Sequence, residues 1–256
     1  MRGFVDDRRV VLSISGADAR PLLQDLVTCN LNQLAEDTLV YGALLTPQGK
    51  YLFDFFMGLE GDDLMVDIAA DRAPAFAQRL MMYRLRRDMN IEATDRPITL
   101  IWDTDTAPVS ARRDPRDETL GWRAYAPLDG YKAADPRDYD RKRIAAGVPA
   151  TGVELVENDT YILEAGFERL SGVDFRKGCY VGQEVTARMK HKTALKKGLV
   201  RVRVEGDAEP GTAIERDGKP AGTLFTVVDG QGLAHLRFDR ADGEMQAGGA
   251  RVWRAD

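Results

Sequence analysis

The amino-acid sequence predicts an α+β protein that ends in a small all-β module, and three features of its patterning lead there. In the first ninety residues, strand-like apolar runs alternate with two segments of helical period. The Pro/Gly turn TPQGK separates two of those runs and marks a hairpin. From Leu199 onward the texture changes to short strands at turn spacing, the pattern of a barrel or sandwich. The boundary is expected near residue 195, dividing the chain into 1–194 and 195–256. No internal repeat is visible.

In chain order, RRVVLSIS (8–15) reads as a strand. SGADARPLLQDLVTCNL follows as a short helix, with Ser15 or Asp18 as N-cap and Leu22, Leu23, Leu26 and Val27 as its apolar stripe. VYGALL and YLFDFFMGL form the hairpin around TPQGK, and LMVDIAA is a third strand. RAPAFAQRLMMYRLRRDMN has Phe76, Leu80, Tyr83 and Arg87 on one helical face, with Met82, Leu85 and Met89 beside it. The stretch 91–150 is richer in Pro, Asp and Arg. It holds the strand candidates ITLIWD and LGWRAYAPL and a short helix in DPRDYDRKRIAAGVP. After DFRKGCYVGQEVTARMKHK, whose second half fits strand or helix, five strands are expected: LVRVRVEG, TAIER, GTLFTVV, GLAHLRF and ARVWRA.

Composition excludes several classes. With 44% hydrophobic and 30% charged residues the chain is globular rather than disordered. No apolar run approaches the roughly 20 residues of a membrane span, so no membrane partner is expected. The start, MRGFVDDRRVVLSISG, mixes acids and bases before any apolar run and resembles neither a secretory signal nor a transit peptide. Two cysteines, Cys29 and Cys179, are too few for a disulfide framework, and a reducing cytoplasm is the expected compartment. Together with His191 and His235 they have no zinc or iron–sulfur spacing, so no metal ligand is assigned. The net charge of −5 hides an asymmetry. From Arg176 to Arg203 nine Lys or Arg stand against the single acid Glu184, a local +8 that suggests an anionic ligand or partner, or else a solvated face.

Two positions carry candidate chemistry. Cys179 lies between Gly178 and Tyr180, two residues after Lys177. Adjacent cations stabilise a thiolate, and glycine lets backbone approach a ligand closely, although most free cysteines are small buried hydrophobes. Cys29, inside LVTCNL, reads as core. Asp54, in KYLFDFFMG, falls by alternation on the face of Leu52 and Phe56. An acid there must be solvated, paired or used to hold the NH-rich edge of a heterocycle. Gln183 and Glu184 after Gly182 supply polar reach, but taken singly they read first as a helix start. GxSxG, P-loop, GxGxxG and His-Glu-x-x-His motifs are all missing.

Taken together, FRKGCYVGQEVTARMKHKTALKKGLV closely resembles the signature of the YgfZ family of folate-binding proteins. The family hallmark, Lys-Gly-Cys-aromatic-aliphatic-Gly-Gln-Glu, matches Lys177 through Glu184 without departure, followed by Ala187, Arg188 and a basic tail. SISGADARPLLQDLVTCNL and VYGALLTPQGKYLFDF also look like that family's first strand–helix and hairpin, and the resemblance covers nearly the whole chain, least closely in 91–150. The wider family includes the aminomethyltransferase of the glycine cleavage system. An aromatic and an Asp on its hairpin strands meet the pteridine of tetrahydrofolate, and Tyr41 and Asp54 stand at the matching places. Many YgfZ members keep no acid there.

The resemblance implies two interleaved α+β lobes and a small C-terminal β-barrel, arranged as a cloverleaf around a central folate channel. It implies tetrahydrofolate, or a reduced folate derivative, as cofactor, with Tyr41, Asp54, Lys177, Gly178, Cys179, Tyr180, Gln183, Glu184 and Arg188 as candidate binding residues. Cys179 and Asp54 are the residues implied to act chemically. The implied role is accessory: assembly or repair of iron–sulfur clusters in client proteins, including a tRNA-modifying enzyme, with assembly or client proteins as partners. A folate-dependent aminomethyl or one-carbon transferase, with Asp54 as base or electrostatic partner, is the alternative. Direct nucleic-acid binding is not expected, because the basic strip interleaves few aromatics beyond Tyr180 on an acidic chain.

Overall fold

The computed structural model describes residues 1–191 and 194–255. Lys192, which contributes to the basic strip, lies outside the described residues. The chain forms β1 (Arg2–Val5), β2 (Arg9–Ser15), α1 (Ala19–Leu26), β3 (Val40–Leu45), β4 (Tyr51–Glu60), β5 (Asp63–Ala69), α2 (Ala73–Arg84) and β6 (Asn90–Thr94). There follow β7 (Thr99–Trp102), β8 (Ala111–Arg113), β9 (Trp122–Ala124), β10 (Lys132–Ala133), α3 (Pro136–Ala145) and α4 (Gln183–His191). Six strands complete the chain: β11 (Lys197–Glu205), β12 (Ala213–Arg216), β13 (Lys219–Val228), β14 (Gln231–Arg237), β15 (Met245–Ala247) and β16 (Ala250–Arg254).

These strands make two five-stranded sheets and a closed barrel. One sheet has the order β3-β4-β5-β2-β6, the other β10-β1-β7-β9-β8, and the barrel runs β11-β14-β13-β12-β15-β16. The fold class is the one expected from sequence. The chain places β1 in the second sheet, leaves to build the whole of the first, then returns with β7, so the two α+β units interleave. Among the described residues no helix is long and apolar enough to cross a membrane.

The first sheet is buried on both faces across β3, β4 and β5, while the edge strand β6 is largely exposed. On one side α1 and α2 cover it through Leu22, Leu23, Leu26, Phe76 and Leu80, packed on Phe53, Phe55 and Met57. On the other side Tyr41, Tyr51 and Phe56 join Phe4, Leu100 and Trp102 of the second sheet in a shared core. A strand buried on both faces loses the polar alternation that marks a half-buried one, and β4 is buried from Tyr51 to Gly58.

Several sequence expectations change here. Short β1, β8 and β10 and the edge strand β6 have too little periodicity to be read. The barrel has six strands rather than five, because three-residue β15 follows a turn-rich stretch. The N-cap of α1 is Asp18 without a side-chain cap; its carboxylate instead accepts from the Asp88 backbone N–H at 2.7 Å. Helix α2 stops at Arg84, so Leu85 is not on its face: it takes φ 52° and is 85% exposed. The segment EVTARMKHK is helical, in α4.

Candidate functional site

The candidate site is a cavity of about 700 Å³ whose wall includes Asp54 and Phe56 of β4, Arg9 of β2, Thr151 and, from the barrel, Phe225 and Thr226. Asp54 is 2% exposed and has no cationic partner among the described residues. It is held by hydroxyls: Tyr51 and Thr151 each donate to Oδ1 at 2.7 Å, and Tyr41 donates to Oδ2 at 3.1 Å. Burial, reinforced by the neighbouring carboxylate, pushes the Tyr41 and Tyr51 phenols well up, so both stay protonated donors.

The geometry follows from a bulge. Leu44 pairs with Phe53 but Leu45 pairs with Tyr51, leaving Leu52 as the extra residue of β4. A bulge re-aims side chains. Here it sends Leu52 to the helix side, next to Phe53 in the same cluster, and brings Tyr51 to the side of Phe56. Asp54 therefore shares a face with Phe56 and Tyr51, not with Leu52 as simple alternation has it. Tyr51 and Thr151 are site residues that sequence reasoning missed, the first because of this bulge, the second because it comes from a loop 97 positions later.

Beside Asp54 lies a cage of guanidinium groups around Phe56. Arg123, Arg116 and Arg9 stand 4.0, 4.6 and 5.3 Å from the ring centroid, within cation–π range. Two buried carboxylates hold them. Asp67 accepts from Arg9, from Arg123 at 2.9 Å and from Tyr125 at 3.0 Å. Asp114 takes a two-pronged contact from Arg116, at 3.0 and 2.8 Å. Burial alone would raise both carboxyl pKa values, but Arg123 with Arg9, and Arg116 with Arg123, more than offset it and bring them below the usual carboxylate range. The far wall is clamped to the barrel. Arg143 of α3 donates to Glu154 at 3.1 Å and to the Thr226 hydroxyl at 2.6 Å, where β13 is irregular between Leu224 and Val227.

The cysteine motif lies elsewhere. Cys179 and Gly178 are exposed, and neither these two nor Lys177, Tyr180, Gln183, Glu184 or Arg188 is in the wall of the Asp54 cavity. Tyr41 and Asp54 thus form one group of predicted residues and the motif another. Lys177 does not face the thiol. Its ammonium is buried and donates to the carbonyls of Gln24, Val27 and Cys29 at 2.6, 2.5 and 2.8 Å, closing the carboxy-terminal end of α1. Burial lowers its pKa. Tyr180 packs into the shared core, and burial pushes its hydroxyl up to about 12. Gln183 and Glu184 open α4, Glu184 being exposed in the first turn where a carboxylate suits the helix dipole, and Arg188 is exposed on the same helix.

Two glycines lock this motif onto the hairpin turn. Gly182 has φ +82°, and a Cβ there would come within 2.6 Å of the Thr46 carbonyl and 3.0 Å of Gly49. Gly49 has φ +76° and lies against Val185 of α4. Gly178 differs: its φ is not left-handed and a Cβ would meet nothing within 4 Å. Cys29 is core, pressed on Gly42, with its thiol pushed up to about 12 by burial. The basic strip is largely consumed by structure: Lys190 pairs with Glu168, Lys197 with Glu164 at 3.3 Å and Arg203 with Glu205 at 2.9 Å. Among the described residues no cluster of three His, Cys, Asp or Glu is placed to hold a metal ion.

Comparisons with known proteins bear on both groups. Residues 196–254 match the family described as the CAF17 C-terminal beta-barrel domain. The mouse mitochondrial iron–sulfur cluster assembly factor IBA57 is 29% identical over 93% of this chain and 78% of its own length. The human protein of that name is 28% identical with the same coverage. A homolog from Pyricularia oryzae is 31% identical over 77% of this chain, which spans only 54% of the fungal protein. Among solved structures, the glycine cleavage system aminomethyltransferase T from Bartonella henselae superposes on the whole chain and 85% of its own, with TM-score 0.79 at 12% identity. That likeness establishes the shared fold. The curated relatives are mitochondrial by name, which overturns the cytoplasmic compartment expected from sequence.

Proposed function

We propose that this protein is a reduced-folate-binding accessory factor in iron–sulfur cluster assembly, with tetrahydrofolate or a derivative held at Asp54 and Cys179 offered at the surface to an assembly or client protein. The observation that carries the folate half is the Asp54 carboxylate, buried in a cavity wall, fixed by three hydroxyl donors and without a cationic partner among the described residues. Such a group is an acceptor for the N–H-rich edge of a reduced pterin, and a cavity of about 700 Å³ is of the size that takes a small cofactor. Phe56 and Phe225 in the same wall provide apolar surface for a planar ring. Bound there, the folate would supply a one-carbon carrier. The chain's own residues orient it and keep water from Asp54. The assembly half rests on the similarity to the named assembly factors and on an exposed thiol.

The second reading, a folate-dependent aminomethyl or one-carbon transferase, draws on the same Asp54 and on the shared fold. Fluorescence titration with tetrahydrofolate and 5-formyltetrahydrofolate separates the possibilities. Asp54→Asn keeps one oxygen for Tyr51 and Thr151, so the protein should fold normally while affinity drops roughly 10- to 150-fold, the worth of one charge-assisted hydrogen bond. Unchanged affinity in that variant refutes the folate site. Turnover of an aminomethyl donor by the wild-type chain would favour the transferase. Restoration of cluster-enzyme activity in depleted cells by Cys179→Ala would remove the thiol from the mechanism.

A further inference from the structure

A cluster of positive charge without an ion pair among the described residues lies at the end of α2. From Arg79 to Arg87 the chain carries four arginines and no acid. None of the four forms an ion pair among the described residues; Arg84 only donates to the Arg87 carbonyl, at 3.3 Å. The neighbouring carboxylate of Asp88 turns away to the Ala17 backbone N–H at 3.2 Å. Large apolar side chains stand among these arginines: Met81 is 44%, Met82 65% and Leu85 85% exposed.

Leu85 is presented in a conformation that works against it. With φ 52° and ψ −107°, and with the Arg87 N–H bonded to the Arg84 carbonyl at 2.9 Å, it occupies the first central position of a type II′ turn. Glycine is the ordinary residue there, and a bulky side chain is strained. The fold gains no burial from this leucine. None of these residues belongs to the wall of the Asp54 cavity or of a second cavity of about 880 Å³ near Arg112 and Tyr125.

We propose that the carboxy-terminal end of α2 docks on an anionic lipid surface, with Met82 and Leu85 entering the interface and Arg79, Arg84, Arg86 and Arg87 meeting the headgroup charges. Apolar tips set among unpaired cations fit an anionic bilayer, whose headgroups take the arginines while its acyl boundary takes Met82 and Leu85. The net charge of −5 does not oppose this orientation, because attraction at the surface acts over about one Debye length. The two acids that border the patch, Asp88 and Asp18, are engaged by the backbone N–H groups of Ala17 and Asp88 and are outnumbered by the four arginines.

The test is co-sedimentation of the full chain with vesicles of equimolar phosphatidylglycerol and phosphatidylcholine, and with phosphatidylcholine alone, at low and high salt. Wild type should partition at least about tenfold better onto the anionic vesicles and lose this preference as salt rises. Arg86→Gln with Arg87→Gln should weaken partition roughly thirtyfold, the worth of two basic residues at such a surface. Leu85→Gly is the decisive variant. It should melt no lower than wild type, because the turn is relaxed, yet partition roughly tenfold less. Absence of anionic-vesicle binding, equal binding to neutral vesicles, or variants that bind like wild type would each overturn the proposal.

Discussion

Replacing Lys177 by Met distinguishes two accounts of the cysteine motif. Sequence reasoning makes Lys177 a cation that stabilises the Cys179 thiolate; the structure makes it the cap of α1. The ammonium serves three carbonyls at 2.5–2.8 Å, those of Gln24, Val27 and Cys29. Each acceptor left without its donor costs about 1–3 kcal/mol, or about 3–9 kcal/mol for the set. Relief from burying an ammonium offsets several kcal/mol of that. A net loss of about 3 kcal/mol remains, which with a urea m-value of about 3 kcal/mol/M lowers the unfolding midpoint by about 1 M. Urea denaturation followed by tryptophan fluorescence reads this directly. Iodoacetamide labelling of Cys179 at pH 7, in the same preparation, should change by no more than about twofold, since the ammonium is turned to the helix end. Cys29, buried and protonated, should not label until the chain unfolds. A variant of unchanged stability whose Cys179 labels tenfold more slowly would show the capping argument wrong and the electrostatic one right.

The two glycines flanking Cys179 and Tyr180 should respond in opposite ways. Gly182→Ala should cost about 2–4 kcal/mol, because its Cβ meets the Thr46 carbonyl in a left-handed backbone, whereas Gly178→Ala should stay within about 0.5 kcal/mol by calorimetry. A strongly destabilised Gly178→Ala would contradict the open space seen there. Asp67 has a folded-state pKa below its unfolded one, so it adds stability above about pH 4 that is lost as pH falls through the folded value. Asp67→Asn should therefore flatten the acid limb of the stability profile. At pH 7 it should cost about 3–5 kcal/mol by leaving Arg9 and Arg123 without their carboxylate. An unchanged acid limb would refute the role assigned to Asp67.

What the sequence revealed and concealed follows from where each signal arises. The β3–β4 hairpin was legible because Pro47 and Gly49 punctuate two apolar runs, and Asp54 stood out as an acid among aromatics. Its partners were not. A bulge at Leu52 breaks the period on which face assignment depends, and Thr151 reaches the site through tertiary folding alone. The arginine cage was invisible for a similar reason, since Arg9 lies in β2 whereas Arg116 and Arg123 come from a segment far later in the chain, and Phe56, Asp67 and Asp114 gather them only in the fold. The basic strip is a case where sequence proximity and spatial partners differ. Proximity in sequence left a shared anionic ligand or a solvated face open, and three of its members, Lys177, Lys190 and Lys197, turn to three different partners within the chain.

The placement of β1 has a consequence for how the protein is made. Arg2 lies opposite Trp102 in β7 and beside Lys132 in β10, whereas β2 to β6 pair among themselves. A chain emerging from the ribosome at roughly 5–20 residues per second would hold β1 unpartnered for on the order of 5–20 s while the first sheet closes. β1 also supports β7, which in turn registers Leu100 against Arg123 of β9. A tag or deletion that disturbs Arg2–Val5 would thus be felt at Arg123 on the floor of the cavity, far along the chain, before it reached the neighbouring hairpin that carries Asp54.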